Sequence, residues 1–371
     1  MQNSSQLVAP KVSEGLEMTG QVEAATLDAL TPMVQRAEKL SLLLLLIERA
    51  TSIAVVRDFL KSRGLQHSAG SWEDLRTKRV LPAYDEGKIS LADLQELLRS
   101  TEGYGRQHVF LFKCPEDRAA LLLADDRIQR VLAENNISEV GFDPLVVDLP
   151  EQPTFVDVRT AVIDGVKSVS IKEIEKRTSK KLTSQVDDTA AMTLTKVYRY
   201  EHQRAINVAR LWANGLLEVR IASRDNSTQY KDDLNQLFYR LRSIFPRSEF
   251  KDVSLGDLKK NLWEKRAELQ GLVKFSTYTL RDDEGMTLRA NTAVTTDDLA
   301  GSERIAKSLA EFDTDSAYCS DSNVYFKIVA GEETLKEIHV LLNGEDNEFA
   351  VTAAITEEEY EFVLRQVLEH N

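Results

Sequence analysis

The sequence predicts an α+β fold, with an all-helical N-terminal domain, a mixed α+β body and a C-terminal antiparallel sheet with helices. Apolar residues recur at helical spacing up to residue 105 and at the two-residue period of strands from Val109 onwards. Strands then come in runs with helices between them, and strand–helix–strand alternation is rare. Two Asn-Gly pairs, at Asn214 and Asn343, are typical of tight turns between antiparallel strands.

Four helices are predicted in the N-terminal domain: one over 32–50, a second that is N-capped by Thr51 or Ser52 and ends before Gly64, and two more over 71–81 and 90–99. Pro32 fits the first turn of the first helix, and Gly64 fits the position just after the second. Serines open the third and fourth helices, where they can act as N-caps. A disordered tail is predicted over 1–25. The apolar run 42–47 is much shorter than the roughly 20 residues of a membrane span, so it is predicted to lie in a buried helix.

Beyond residue 105 the two-residue period predicts strands at 109–112, 155–163, 193–202, 206–213, 216–222, 271–280, 286–293, 323–330, 335–342 and 348–355. Helices are predicted at 116–135, 228–244, 254–269 and 297–312. A proline-punctuated connector lies at 141–153. The run Thr356-Glu357-Glu358-Glu359 matches a capping box, which predicts a final helix that reaches about residue 369.

Charge is distributed unevenly along the 371-residue chain, whose formal net charge is −13. The net charge is −2 over 1–105, −4 over 106–156, +7 over 157–275 and −14 over 276–371. We therefore predict a helical domain at 26–105, a basic α+β domain at 106–275 and an acidic α+β domain with a C-terminal helix at 276–371. Such asymmetry points to nucleic-acid contact or to an acidic interaction surface. The alternative is that the two charged regions attract each other within the fold.

The two cysteines, Cys114 and Cys319, are far apart in the sequence and neither belongs to a C-x-x-C pair. This usage is typical of a reducing compartment, so an intracellular location, cytoplasmic or nuclear, is expected. The first residues lack a basic segment followed by an apolar one, so no secretory signal and no membrane association are predicted.

Residues 52–89 resemble the SAP family, whose helix–loop–helix module binds DNA. The matching residues are Leu60, Arg63, Gly64, Leu65, Ser68, Gly70, Leu75, Arg79 and Leu81. The segment departs from the family at Ala69, an extra residue, and at Ser71-Trp72, which stand where the family has a loop lysine. A basic cluster in this region can neutralise phosphates with little recognition of the base sequence. Its candidate residues are Arg57, Lys61, Arg63, Arg76, Lys78 and Arg79. The alternative is a helical hairpin with ordinary surface charges.

The order of domains is also loosely similar to that of the centromere protein N family, in which a helical domain precedes a basic α+β body and a C-terminal sheet. Two short stretches, 108–113 and 272–276, follow that order. That family contacts nucleosomes and a partner protein, so the resemblance implies a binding protein.

The basic middle supplies the second set of candidates. Helical spacing would place Lys172, Lys176 and Lys180 on one face, with Arg177 and Lys181 beside it. On the following strands Arg199, Arg204, Arg210 and Arg220 alternate with aromatic residues, namely Tyr198, Tyr200 and Trp212. Basic and aromatic residues together on a sheet are typical of single-strand binding, whereas the alternatives are a solvated face and core aromatics.

No motif in the sequence specifies a reaction. The five histidines form no metal-ligand spacing, and no glycine-rich phosphate loop occurs, so no metal and no cofactor are predicted. Glu218, Asp157 and Asp225 faintly match a nuclease carboxylate set, but Arg220 replaces the lysine of such sites.

We therefore expect a non-enzymatic DNA-associating protein whose acidic C-terminal domain docks a partner or shields the basic region. The alternatives are a protein-interaction or scaffold subunit that binds no nucleic acid, and a divergent nuclease or effector of a microbial defence system.

Overall fold

The protein has an α+β fold in a computed structural model that describes residues 17–137, 140, 144–224, 230–294, 296–313, 317–330 and 333–371. The helices of the N-terminal domain are α1 (Glu17–Ala50), α2 (Ile53–Ser62), α3 (Trp72–Leu75), α4 (Leu81–Asp85) and α5 (Leu91–Glu102). A π-helical turn over Arg76–Val80 joins α3 to α4, so the third predicted helix extends to Asp85.

The first helix differs from its prediction at its N-terminal end. It begins at Glu17, so residues 17–25 of the predicted disordered tail are helical, and Pro32 lies inside the helix instead of in its first turn. Residues 1–16 of the predicted tail lie outside the described residues. Extension of an existing helix needs no new nucleus, and an internal proline removes one hydrogen bond without forbidding the helix.

The strands of the body are β1 (Gly105–Lys113), β2 (Thr154–Ile163), β3 (Val166–Asp188), β4 (Thr193–Trp212), β5 (Leu216–Ala222), β6 (Lys251–Asp252), β7 (Val273–Arg281), β8 (Thr287–Asn291), β9 (Tyr318–Ala330), β10 (Glu333–Leu342) and β11 (Glu348–Ala354). The helices of the body are α6 (Glu116–Leu122), α7 (Asp125–Glu134), α8 (Lys231–Leu241), α9 (Gly256–Glu264), α10 (Glu303–Phe312) and α11 (Glu357–His370). Among the described residues, no helix is both long and apolar enough to span a bilayer.

All of these strands belong to one antiparallel sheet with the order β2-β3-β4-β5-β1-β11-β10-β9-β7-β8, and β6 adds to β1. Strand β1 joins the two halves, since Val109 lies opposite Arg220 of β5 on one side and Phe349 of β11 on the other. The domain boundary predicted between residues 275 and 276 falls inside β7, so the basic and acidic regions share one sheet. Periodicity identifies strands but does not reveal which strands pair.

Apolar side chains of the sheet pack against helices on both of its faces. Val109 and Leu111 of β1 belong to a cluster with α9 and α11, whereas Phe110 and Phe112 belong to a second cluster with α6, α7 and α8. This alternation follows from the two-residue period of a strand. A third cluster fills the helical domain.

Local signals in the sequence fix several element ends. Ser90 and Thr356 form the capping boxes of α5 and α11, and Gly64 ends α2 with a φ of +68°, as predicted. Gly215 closes the turn between β4 and β5 with a φ of +91°. A Cβ atom at this position would lie 2.1 Å from the carbonyl oxygen of Cys114, so only glycine fits.

The predicted helical placement of Lys172, Lys176, Arg177, Lys180 and Lys181 is wrong, because all five residues lie in β3. β3 pairs with β4 along nearly its whole length, from Ser168 opposite Trp212 to Asp188 opposite Thr193. An interval of four residues returns to one face in a helix and also in a strand. The charge spacing alone therefore did not distinguish the two structures.

Candidate nucleic-acid interface

The outer parts of β3 and β4 form a two-stranded arm, which we define as residues 178–202. Pairing of β2 with β3 ends at Ile174, and pairing of β5 with β4 ends at Val208. Beyond these points the two strands pair only with each other. Residues 180–187 and 189–200 are all exposed. With about eleven residues in β3 at about 3.3 Å each, the arm is about 35 Å long.

The register divides the arm into two faces, because directly opposite residues in antiparallel strands point to the same side. On one side Thr178 lies opposite His202, Lys180 opposite Tyr200, Leu182 opposite Tyr198 and Gln185 opposite Lys196. We call these eight residues the tyrosine face. Lys176 and Arg204 continue the same side toward the sheet.

The lysines of this side are free of carboxylate partners. Among the residues that the structure describes, no ion pair is found for Lys176, Lys180 or Lys196. Lys180 instead places its Nζ 5.5 Å from the ring centroid of Tyr200. The eight residues of the tyrosine face include no carboxylate, and the next pair outward on the same side is Asp187 opposite Leu194. Three cations and two exposed aromatic rings are therefore available to an anionic ligand.

The opposite face of the arm carries paired charges. Arg199 donates to Glu201 at 2.6 Å, and Lys181 lies 3.7 Å from the same carboxylate. The hydrogen bond from Arg199 lowers the pKa of Glu201, so this carboxylate stays ionised. The predicted candidates Lys181 and Arg199 thus share one negative charge, which weakens their attraction for phosphate.

Two of the predicted phosphate-binding residues, Arg210 and Arg220, lie inside the protein around Glu218. All three side chains are almost fully buried. Arg210 donates to Glu218, and the Nε of Arg220 lies 4.0 Å from it. Trp212 also donates its indole N–H to Glu218 at 3.0 Å, and the hydroxyl of Tyr360 donates to the other carboxylate oxygen.

Burial alone would raise the pKa of Glu218, but the charges of Arg210 and Arg220 outweigh it and lower this pKa. The carboxylate is therefore ionised and enclosed by cations. Arg210, Arg220 and Trp212 organise the sheet, and their side chains are buried within the protein.

Three further candidates lie at the base of the arm and are also paired. Glu102, at the end of α5, contacts Lys172 at 3.0 Å and accepts a hydrogen bond from Arg204. Arg177 is buried and bonds Glu175 and the carbonyl of Ala222. Lys172 and Arg204 thus attach the helical domain to the sheet, and these three residues are not available to phosphate here.

Most of the basic candidates in the SAP-like segment already have a partner within the protein. Four of them have protein partners: Arg63 pairs with Asp93, Arg76 with Glu73 and Lys78 with Asp74, and Arg79 donates to the carbonyl of Ser68. In the described part of the chain, Arg57 and Lys61 have no ion pair, and both are exposed on α2. Their spacing of four residues places them on one side of that helix.

The acidic C-terminal region contacts the basic middle directly. Arg210 lies 2.6 Å from Glu361 of α11, and Lys274 of β7 pairs with Glu337 of β10. Part of the charge asymmetry is thus used within the fold, which is the alternative that the sequence left open. These contacts involve the sheet and not the arm.

A cleft of about 750 Å³ separates the end of α1 and the start of α2 from the sheet. Its lining includes Arg49, Arg106 and Lys336, but also Glu357 and Glu359. Charges of both signs face this cleft, so its lining does not favour an anion over a cation.

The faint nuclease pattern is not assembled in the structure. Glu218 is enclosed by arginines, Asp157 lies 2.8 Å from Arg99, and residue 225 lies outside the described residues. Within the part of the chain that the structure describes, no group of three or more His, Cys, Asp or Glu side chains could hold a metal ion.

Comparison with known proteins finds no family model and no curated protein that matches this sequence. One residue of the arm, Lys196, was missed by the sequence reasoning. The two-residue repeat Lys196, Tyr198, Tyr200 was the signal that could have identified it.

Proposed function

We propose that the protein associates with nucleic acid through the arm, and that Lys176, Lys180 and Lys196 neutralise backbone phosphates. The observation that carries this proposal is the contrast between these lysines and the other cations of the basic middle. Eleven of the predicted candidates have carboxylate or carbonyl partners, whereas these lysines have no carboxylate partner among the described residues. Unpaired lysines on an exposed β-ribbon attract a polyanion and release its counterions on binding.

The helical domain supplies a second, smaller contact in this proposal. Arg57 and Lys61 are exposed on α2, and α2 belongs to the segment that resembles the SAP family. Contacts of this kind fix the position of a nucleic acid without reading its sequence. A DNA-associating protein is therefore the function that the exposed charges support best.

Salt-dependent binding tests the proposal. Fluorescence anisotropy of labelled DNA would be measured with the full-length protein at about 50 mM and 200 mM salt. We expect affinity to fall steeply between these conditions. Combined substitution of Lys176→Ala, Lys180→Ala and Lys196→Ala is expected to weaken binding and to reduce the salt slope by about 2 to 3.

A matched control removes three lysines elsewhere, through Lys251→Ala, Lys260→Ala and Lys307→Ala. This variant carries the same change of net charge and is expected to bind nearly as tightly as the wild type. Equal weakening by the two triple variants, or no binding by the wild type at low salt, would contradict the proposal.

A second candidate function is protein docking through the tip of the arm. Val186, Met192 and Leu194 lie there with large exposed fractions, and Met192 is 92% exposed. Exposed apolar side chains grouped at one place are typical of a protein-interaction site. Two observations together would favour this function. The wild type would co-purify with a bound protein, and the ratio of absorbance at 260 and 280 nm would show no nucleic acid. Met192→Ser would lose that bound protein.

A further inference from the structure

We infer that the ligand of the arm is a single-stranded nucleic acid whose bases stack on Tyr198 and Tyr200. This inference rests on the proposed function and specifies the class of ligand. Both side chains project from β4 on the tyrosine face, and they are 47% and 61% exposed. Aromatic rings this accessible on a sheet surface stack unpaired bases with little regard to sequence.

The spacing of the two tyrosines suits successive bases. Alternate residues of a strand have Cα atoms about 6.7 Å apart. This is about twice the 3.4 Å step between stacked bases. One base can therefore stack on each ring, or one base can insert between the rings.

The lysines lie where the backbone of such a strand would run. Lys180 lies directly opposite Tyr200, and Lys196 lies two residues before Tyr198 on the same side. Lys176 continues the line toward the sheet, one alternate position beyond Thr178. The ligand would thus lie along the arm, with bases on the tyrosines and phosphates beside the lysines.

The distribution of charge between the faces favours a single strand over a duplex. A two-stranded ribbon is narrow enough to enter the major groove of duplex DNA. A groove encloses the ribbon, so phosphates would flank both of its faces. On this arm the opposite face carries Glu201, which already binds Arg199 and Lys181. Among the described side chains of the arm, the unpaired cations lie on one face, and this fits a strand laid across that face.

Binding of the full-length protein to two DNA probes tests the inference. The probes are a mixed-sequence single strand of about 20 nucleotides, which spans the arm and its base, and the duplex of the same sequence. Each of Tyr198→Ala and Tyr200→Ala is expected to weaken single-strand binding by about fivefold or more. The salt slope should not change, because no phosphate contact is removed.

Two variants control for other causes. Tyr200→Phe keeps the ring and is expected to bind within about twofold of the wild type. Tyr239→Ala removes a tyrosine that is 67% exposed on α8, away from the arm, and should leave binding unchanged. Thermal unfolding would verify that each variant is folded.

The possible results separate the inference from the proposed function. Wild-type affinity in both alanine variants, with weaker binding by the triple lysine variant, would overturn stacking and leave the proposed function intact. A duplex bound at least as tightly as the single strand would overturn the single-strand class. Absence of binding by the wild type at low salt would overturn the proposed function and the inference with it.

Discussion

The two ends of β4 place the same residue type in opposite environments. Arg199, in the arm, is exposed and bonds a carboxylate that is itself partly exposed. Arg210, eleven residues later, is buried between Glu218, Glu361 and two aromatic rings. An exposed ion pair contributes little to stability, whereas a buried charge must be paired. The inner cations of the basic middle therefore hold the sheet together, whereas the outer lysines have no carboxylate partner among the described residues and are the ones that we propose meet a ligand.

The largest effect is expected from Glu218→Gln at the buried end of the comparison. The substitution leaves Arg210 and Arg220 buried without their shared negative charge. We expect the free energy of unfolding to fall by about 3–5 kcal/mol, as measured by urea denaturation. The matched variant Glu201→Gln on the arm should change it by less than about 0.5 kcal/mol. Similar losses in both variants would remove the distinction between the two ends of β4.

Acidic pH should lower the stability of the folded protein by protonating the buried carboxylates Glu102 and Glu218. Burial alone would raise the pKa values of Glu102 and Glu218, but the neighbouring cations outweigh it and lower both. A carboxylate with a lowered folded pKa stabilises the protein above its ordinary pKa of 4.5, and this stability is lost as the pH falls further. Thermal unfolding midpoints should therefore drop below about pH 5. The drop should be smaller in Glu102→Gln, and an identical pH profile in that variant would contradict the assignment.

A moderate effect on binding is expected from Glu201→Gln at the exposed end. Removal of this carboxylate frees Arg199 and Lys181 and also removes a charge that repels phosphate. DNA affinity should rise by about twofold or more at low salt, and the gain should shrink as salt screens the charges. Anisotropy titrations at several salt concentrations measure this gain. A lower affinity than that of the wild type would show that the paired face is not close to the ligand.

The smallest effect is expected from Arg57→Ala combined with Lys61→Ala in the helical domain. Both side chains are exposed, so the free energy of unfolding should change by less than about 0.5 kcal/mol. The salt slope of DNA binding should fall by less than in the triple lysine variant of the arm, since fewer phosphate contacts are lost. A larger fall would make α2 the main contact and the arm the minor one.

Much of the secondary structure could be predicted from local sequence, because capping and turns depend on neighbouring residues. Ser90 and Thr356 opened helices as their capping patterns predicted, and Gly64 and Gly215 took the left-handed conformations that their positions require. The long strand β3, Val166–Asp188, was missed over its whole length, and its residues 172–181 were placed on a helix. Its extended conformation depends on pairing with β4, which lies up to about forty residues away in the chain. Local propensity does not depend on such a distant partner, so it could not identify the strand.

The residue types of the candidate site could be predicted from the sequence, but the individual residues that belong to it could not. Tyr198 and Tyr200 were recognised as aromatic residues interleaved with arginines on strands, and Lys180 as a member of a separate basic cluster. Arg210 and Arg220 belong to the same strand pattern as the tyrosines, yet they are buried. Burial depends on which helix covers each part of a strand. In β4 that helix is α11, which comes about 150 residues later.

The sequence by itself determined the α+β class, most element types, the helix caps and the basic character of the middle segment, because these depend on composition and on contacts within a few residues. Only the tertiary structure decided that one sheet joins the basic and acidic regions, that β3 and β4 extend into an arm, and which cations remain unpaired. These features arise from pairings between residues that are distant in the chain. A charge becomes a structural link when such a pairing buries it beside a carboxylate, and it stays available to a ligand where no other strand or helix covers it.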